Sequence, residues 1–253
     1  MGKIIAFANQ KGGVGKTTSA VNIAASVGHL GKKVLLVDLD PQGNTTSGVG
    51  INKKNLKASS YEILIGEIEA EKAIIATEFK NLSVIPSNIS LAGAEFDLYQ
   101  LDEREYRLKT QLEKLKDSFD YIFIDCPPSL GMITVNALAA ADAVIIPMQC
   151  EYYALEGLSQ LMLTIRKIKQ LYNADLEICG ILITMFNGRL ILTMQVISEL
   201  KKYYSDKLFK TPISRNVKLS EAPSFGTPVL YHDKASKGAK EYIDVAKELI
   251  QRI

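Results

Sequence analysis

The sequence predicts an α/β fold: a doubly wound, mostly parallel sheet with helices on both of its faces. Short apolar runs rich in β-branched residues alternate with segments of helical spacing along the chain. A glycine-rich segment separates the first apolar run from the first helical segment, and two later runs end in aspartate. No linker-like stretch divides the 253 residues, so we expect one domain spanning residues 1–253.

The predicted strands are nearly continuous apolar runs, because strands of a parallel sheet are covered on both faces. In chain order they span Lys3–Asn9, Lys33–Asp38, Leu82–Pro86, Tyr121–Asp125, Ala143–Met148 and Glu177–Met185, with a short edge strand at Lys210–Ile213. The predicted helices carry apolar residues at a spacing of three or four. They span Ser19–Leu30, short pieces near Tyr61–Ile68, Ala92–Asp117 as one helix or a pair, Gly131–Ala141, Leu158–Leu171, Ile191–Tyr204 and Gly238–Ile253.

The composition is that of an ordinary soluble protein, with 47% apolar and 23% charged residues. The three cysteines show no C-x-x-C spacing, which argues against a disulfide framework and a cysteine-ligated iron–sulfur cluster. No apolar run is long enough to cross a bilayer and no signal peptide is evident, so we expect a cytoplasmic location. Residues 189–253 hold twelve basic and seven acidic side chains. This is a weak sign of a polyanionic partner, and a solvated surface is the simpler explanation of the charge alone.

Lys11 to Thr18 has the sequence K-G-G-V-G-K-T-T and lies between a predicted strand and a predicted helix. Its glycines let backbone N–H groups turn toward an anion, and the helix points its positive end at the same place. Lys16 can reach the β- and γ-phosphates of a nucleotide, and the Thr17 hydroxyl can ligate Mg²⁺. The alternative, a glycine-rich turn with two solvated lysines, is disfavoured by the flanking elements. The predicted phosphate-binding residues are Lys11, Gly12, Gly13, Val14, Gly15, Lys16, Thr17 and Thr18.

Two predicted strands deliver aspartates to the carboxyl edge of the sheet, where ligands bind in open α/β folds. Asp38 and Asp40 follow the second strand, and Asp125 ends the fourth, ahead of a proline-rich turn at residues 127–131 that can respond to a γ-phosphate. Carboxylates there can hold the water shell of a metal and orient an attacking water. The alternative is that they cap helices. We predict a magnesium site formed by Thr17, Asp38 and Asp125.

The glycine-rich segment departs from the standard G-x-x-x-x-G-K-[ST] pattern, since Gln10 replaces the first glycine and Lys11 adds a second lysine. In this it resembles the deviant Walker A loop of the ParA/MinD group of ATPases. Further motifs narrow the resemblance to chromosome-partitioning ATPases of the Soj/ParA type. They are V-D-L-D-P-Q-G-N at Val37–Asn44, I-D-C-P-P-S-L-G at Ile124–Gly131, C-E-Y-Y-A-L-E-G at Cys150–Gly157 and R-N-V-K-L-S-E-A-P-S at Arg215–Ser224.

The resemblance implies a P-loop NTPase-like fold, Mg²⁺-dependent hydrolysis of ATP and a homodimer bridged by ATP. It implies three catalytic residues. Lys16 would act within its own subunit, Lys11 would reach the phosphates held by the partner subunit, and Asp40 would position the hydrolytic water. The resemblance also implies that Pro212 and Asn216 line the adenine pocket.

The resemblance further implies that the ATP dimer binds double-stranded DNA without sequence preference, works with a ParB-type activator, associates with the nucleoid and has no membrane partner. The basic final third of the chain supplies candidate DNA contacts, which are Arg189, Lys210, Arg215 and Lys218. Arg189 matches the family, whereas its neighbours Asn187 and Leu190 differ from the usual Asp-x-Arg-Thr.

Two other functional classes remain open at this point. A MinD-like membrane-cycling ATPase would normally carry a separate basic amphipathic tail, which is not evident here. A metabolic P-loop enzyme would need an acceptor site, and none is obvious. By resemblance Cys150–Gly157 lies near the nucleotide and the dimer interface, yet its residues fit equally well a helix start with Tyr152 and Tyr153 in the core.

Overall fold

The computed structural model describes residues 1–253 and contains one seven-stranded sheet. Its strands are β1 (Lys3–Phe7), β2 (Val34–Asp38), β3 (Ile75–Ala76), β4 (Leu82–Ile85), β5 (Tyr121–Asp125), β6 (Ala143–Gln149) and β7 (Glu177–Thr184). Their spatial order is β3-β4-β2-β5-β1-β6-β7. Every neighbouring pair is parallel except β3 with β4. The predicted fold class, an α/β protein with a mostly parallel sheet, is confirmed.

Helices connect the strands and cover both faces of the sheet. They are α1 (Lys16–His29), α2 (Asn44–Gly48), α3 (Ser60–Ile65), α4 (Ala94–Leu98), α5 (Arg107–Glu113), α6 (Met132–Ala140), α7 (Ala154–Leu171), α8 (Ile191–Tyr204), α9 (Val217–Glu221), α10 (Val229–His232) and α11 (Lys237–Arg252). Short 3₁₀ segments lie at Lys53–Asn55, Ala70–Ala73, Ile89–Gly93 and Ala222–Phe225. None of the helices combines the length and the apolar character that crossing a membrane requires.

Alternate residues of the central strand β1 enter two hydrophobic cores, one on each face of the sheet. Ile4 and Ala6 join the core that contains α6 and α7, whereas Ile5 and Phe7 join the core that contains α1 and α11. All four side chains are fully buried. Burying a large apolar side chain contributes about 1.5–3 kcal/mol, so this strand stabilises both layers. Covering of both faces also explains why the strands are continuous apolar runs.

The last helix, α11, packs beside α1 on one face of the sheet. Its apolar stripe lies in the same core as α1 and includes Tyr242, Val245 and Leu249. The Tyr242 hydroxyl is buried and lies 3.2 Å from the hydroxyl oxygen of Ser19. The apolar stripe of the last helix therefore faces the interior.

Three segments differ from the prediction or refine it. The segment Lys210–Ile213 is not a strand, because Pro212 has no N–H to continue a ladder. On either side of it the chain forms isolated bridges, one between Leu208 and Ile181 of β7 and one between Ser214 and Phe186, which lies beyond β7. Ala92–Asp117 forms the pair α4 and α5 rather than one long helix. The short antiparallel strand β3 is not predicted at all, since two residues carry no periodic signal.

Candidate nucleotide site

The loops that follow β1, β2 and β5 meet at the carboxyl edge of the sheet. The three strands are adjacent, and their register places Phe7 and Asp38 on either side of Asp125. Parallel neighbours in register bring the residues that follow them to one place. The glycine-rich segment and the predicted aspartates therefore share one edge.

The glycine-rich segment is held as a fixed loop by contacts from distant strands. Gly13 and Gly15 have φ angles of 73° and 83°, a left-handed conformation that disfavours a Cβ. The Thr184 hydroxyl donates to the carbonyl of Val14 at 2.8 Å, and the Gln149 amide donates to the carbonyl of Gly13 at 2.9 Å. These anchors use loop carbonyls and leave N–H groups near the start of α1 for an anion.

The two lysines of the loop point to different places. Lys16 is only 7% exposed, and its ammonium donates to the carbonyl of Lys11 at 3.2 Å. Burial lowers the pKa of Lys16, while the charges of Asp125 and Asp40 partly oppose this change. The side chain of Lys11 is 43% exposed, and its ammonium forms an ion pair with Glu151 outside the loop. One lysine thus lies inside the site and the other at its surface.

Asp38 and Asp125 are completely buried beneath the loop. Asp38 accepts hydrogen bonds from the backbone N–H and the hydroxyl of Thr46, at 2.8 and 2.7 Å, and burial raises its pKa to about 6. Asp125 accepts a hydrogen bond from the Thr45 hydroxyl at 2.8 Å. Burial and the charge of Asp38 raise the pKa of Asp125 to about 7, although the hydroxyls of Thr45 and Thr17 oppose the rise. Neither carboxylate forms a direct ion pair within the chain, although the charge of Lys16 acts on Asp125.

The chemistry around Asp125 fits a divalent cation. Its Oδ1 atom is buried and makes no hydrogen bond, although buried polar atoms nearly always have a partner. A cation would satisfy this oxygen directly or through water and would favour the ionised carboxylate. The Thr17 hydroxyl lies near the same carboxylate. Asp38, by contrast, already has its oxygens engaged by Thr46 and by the N–H of Asp40.

Asp40 lies at the mouth of the site and is 9% exposed. One of its carboxylate oxygens accepts the N–H of Gln42 at 2.9 Å, and the other makes no hydrogen bond. The backbone carbonyl of Asp40 accepts the Ser87 hydroxyl at 2.8 Å. The loop is therefore anchored while one carboxylate oxygen remains available to a water.

A family model described as an AAA domain matches residues 2–178. The sporulation initiation inhibitor protein Soj of Bacillus subtilis is 56% identical over 249 residues, which cover 98% of each chain. The chain belongs to the Soj/ParA family of chromosome-partitioning ATPases. The chromosome partitioning protein ParA of Myxococcus xanthus is 50% identical over 252 residues, covering 100% of this chain and 89% of that protein.

A crystal structure from Mycobacterium smegmatis has a closely similar fold. It is described as cobyrinic acid a,c-diamide synthase with bound ATP analog and magnesium. The TM-score is 0.87 at 39% sequence identity, and the match covers 99% of this chain and 95% of that one. This Soj/ParA protein therefore shares its overall architecture with a relative whose structure contains a bound nucleotide analog.

A cavity of about 280 Å³ opens beside the glycine-rich segment Lys11–Thr18, the phosphate loop, and is lined in part by Gly15, Thr18 and Asn216. Asn216 caps α9, with its side-chain oxygen accepting the N–H of Lys218 at 2.8 Å. Its amide N–H₂ group makes no hydrogen bond within the chain. Pro212, the other residue predicted to line the adenine pocket, lies in a separate groove.

The four predicted DNA contacts are not gathered in one patch of the single chain. Arg215 lines the cavity beside the phosphate loop. Lys218 lies on α9 and forms an ion pair with Glu221 at 2.8 Å. Lys210 lines a cavity at the amino edge of the sheet, where the first residues of β1, β6 and β7 lie. Arg189 lies in the turn before α8.

In Cys150–Gly157 a helix does begin, at Ala154, but the predicted placement of its two tyrosines in the core is wrong. Tyr152 and Tyr153 are 78% and 68% exposed, so they do not belong to the core. Their rings pack edge to face against each other, next to the Glu151 that pairs with Lys11. This Soj/ParA protein therefore exposes an aromatic pair beside its surface lysine.

Sequence reasoning missed the hydroxyl residues that hold the site together. Thr45 and Thr46 bind Asp125 and Asp38, and Thr184 ties the phosphate loop to β7. The first two directly follow the aspartate-containing motif at Val37–Asn44. Thr45 and Thr46 could have been identified from the sequence, because they follow a motif that places aspartates at the end of a strand.

Proposed function

We propose that this Soj/ParA protein is a Mg²⁺-dependent ATPase that dimerises on ATP and binds double-stranded DNA without sequence preference. We further propose that it works as one domain, on the nucleoid, with a ParB-type activator. The observation that carries this proposal is the opposite placement of the two lysines, with Lys16 inside the loop and Lys11 at the surface. A single nucleotide site needs only the first of them, whereas a shared site explains the second.

Within one chain, the loop N–H groups and Lys16 would bind the β- and γ-phosphates. Thr17 and Asp125 would hold Mg²⁺, which would neutralise the charge of the phosphates. Asp38 would complete the same site beside Asp125. Asp40 would orient the water that attacks the γ-phosphorus through its free carboxylate oxygen. The magnesium and ATP analog in the Mycobacterium smegmatis relative support this assignment.

The proposed dimer requires Lys11 to leave Glu151 for the triphosphate of a second subunit. Lys11→Ala should leave ATP binding intact, since Lys16 and the loop remain, but should abolish dimerisation. Analytical ultracentrifugation with ATP measures this directly. Lys114→Ala is a matched control, because Lys114 also pairs with a glutamate at the surface but lies away from the loop. A Lys11→Ala dimer of normal affinity would refute the role across the interface.

The proposed binding to DNA depends on nucleotide state, because two basic surfaces act together only in the dimer. Arg189, Lys210, Arg215 and Lys218 would contact phosphates. The decisive experiment measures binding of a double-stranded DNA with ATP, with ADP and without nucleotide. Binding with ATP alone supports the proposal. ATP-dependent flotation with liposomes, in place of DNA binding, would favour a MinD-like function.

A further inference from the structure

One short segment contacts the two loops that carry the proposed water-orienting and metal-binding aspartates. This linking segment, residues 87–95, runs from the end of β4 into α4. At its start the Ser87 hydroxyl donates to the carbonyl of Asp40, and the Ser87 N–H donates to the Thr46 hydroxyl, both at 2.8 Å. Thr46 in turn binds Asp38. The start of the segment is therefore joined to the loop that follows β2.

The other end of the linking segment holds the turn that follows Asp125. Glu95 accepts the backbone N–H of Met132 at 3.1 Å and that of Ile133 at 3.4 Å. These are the first N–H groups of α6, which its own N-cap residue Gly131 cannot satisfy because it has no side chain. Glu95 thus caps α6 from another helix and fixes the end of the turn at residues 126–131.

Gly131 shows that this contact constrains the sequence. Its φ and ψ are −76° and −170°, an extended conformation open to any residue. A Cβ at this position would nevertheless lie 2.9 Å from Cδ and from Oε2 of Glu95, and closer still to Oε1. The glycine is therefore required by the Glu95 carboxylate and not by the backbone. Since that carboxylate ends a flexible side chain, an added methyl group would displace it and break its bonds to α6.

We propose that Glu95 is a positioning residue for ATP hydrolysis, which it serves by holding the turn after Asp125 in register with the loop of Asp40. Glu95 lies in α4, outside the glycine-rich loop and the proposed magnesium ligands, so it should affect the chemical step and not nucleotide affinity. The inference deepens the proposed ATPase function and rests on it. Misplacing a reacting group by about 1 Å can cost about 100-fold in rate. Loss of the Glu95 carboxylate should shift the turn by less than this and cost about ten-fold.

The first test compares ATP turnover with ATP affinity. Glu95→Ala should lower kcat about ten-fold while the Kd for ATP stays within about two-fold and the thermal melt stays cooperative. Glu95→Gln should fall between this variant and wild type, because its single amide oxygen keeps one acceptor. Asp102→Ala is the control, since Asp102 is an exposed carboxylate of the neighbouring turn and makes no hydrogen bond or ion pair. Wild-type kcat in Glu95→Ala overturns the inference.

The second test uses the contact between Glu95 and Gly131 as a double-mutant cycle. Gly131→Ala should reproduce the loss of kcat, because it displaces the carboxylate. Once Glu95 is alanine, the methyl group at position 131 meets no carboxylate, so the double variant should lose no more than either single variant. If the two losses of kcat instead multiply in the double variant, to about 100-fold together, the inference is overturned. Absence of ATP hydrolysis in the wild type would instead refute the proposed function.

Discussion

Asp125→Asn should stabilise the metal-free protein at pH 8 relative to wild type. The pKa of Asp125 rises from 3.8 to about 7 on folding, so the folded protein keeps a proton that the unfolded chain releases near pH 4. The stability that the neutral carboxyl provides is complete below pH 4 and is lost as the pH rises to about 7. At pH 8 the ionised group costs about 4 kcal/mol.

The size of the effect is best measured as a difference between two pH values. Between pH 5 and pH 8, wild type should lose about 3 kcal/mol more than Asp125→Asn. Any cost of the asparagine amide, which meets no acceptor, is present at both pH values and cancels. The Thr45 hydroxyl keeps its acceptor in either protein. The asparagine also gives the nearby Asp38 a neutral neighbour, which adds to the gain at pH 8.

Urea unfolding with EDTA at pH 5 and pH 8 measures both free energies. Asp206→Asn serves as a control at an exposed aspartate, 75% accessible, and should match wild type at both pH values. Equal pH dependence in wild type and Asp125→Asn would refute the reasoning. Such a result would show that the buried carboxyl pays no penalty for ionisation and that no counter-charge is missing from the site.

Three further predictions concern the proposed cycle. Lys16→Ala should abolish ATP binding or hydrolysis, because it removes the ammonium held inside the loop; turnover at the wild-type rate would contradict the assignment. Combined charge reversal at Arg189 and Lys218 should weaken DNA binding for every sequence alike and leave ATP-dependent dimerisation intact, as titrations on two unrelated duplexes would show. Sequence-selective loss, or full binding, would contradict it. Asp40→Ala should slow turnover while the ATP dimer stays on DNA, measured as turnover and bound fraction together; lost nucleotide binding would place Asp40 in the metal site instead.

The parts of the fold that carry a repeating pattern were predictable from the sequence. The run Tyr121–Asp125 matches β5 to the residue, because a buried parallel strand must be apolar throughout. The phosphate loop was predictable for a similar reason, because its backbone has positive φ angles at Gly13 and Gly15, which favour glycine at these positions. Patterns of this kind depend on local geometry, so they can be recognised from residues that are consecutive in the sequence.

Contacts between distant residues were not predictable in the same way. The ion pair of Lys11 with Glu151 joins positions 140 residues apart, and although each residue lies in a motif, no local pattern indicates that the two are paired. The anchors Ser87 and Thr184 are ordinary hydroxyl residues until the sheet order brings them to the loops. The strand predicted at Lys210–Ile213 is absent, because Pro212 has no N–H to donate to a neighbouring strand. Chemistry that depends on tertiary contacts becomes visible only with the topology.

The ion pair between Lys11 and Glu151 bears on how salt should act on the proposed cycle. Formation of the dimer exchanges one anionic partner of Lys11 for another, so the number of unpaired cations hardly changes. Screening then weakens the starting and the final contacts together, and dimerisation should respond only shallowly to ionic strength. Binding to DNA instead displaces condensed counterions and falls steeply as salt increases. Rising salt should therefore strip the dimer from DNA well before it separates the two subunits.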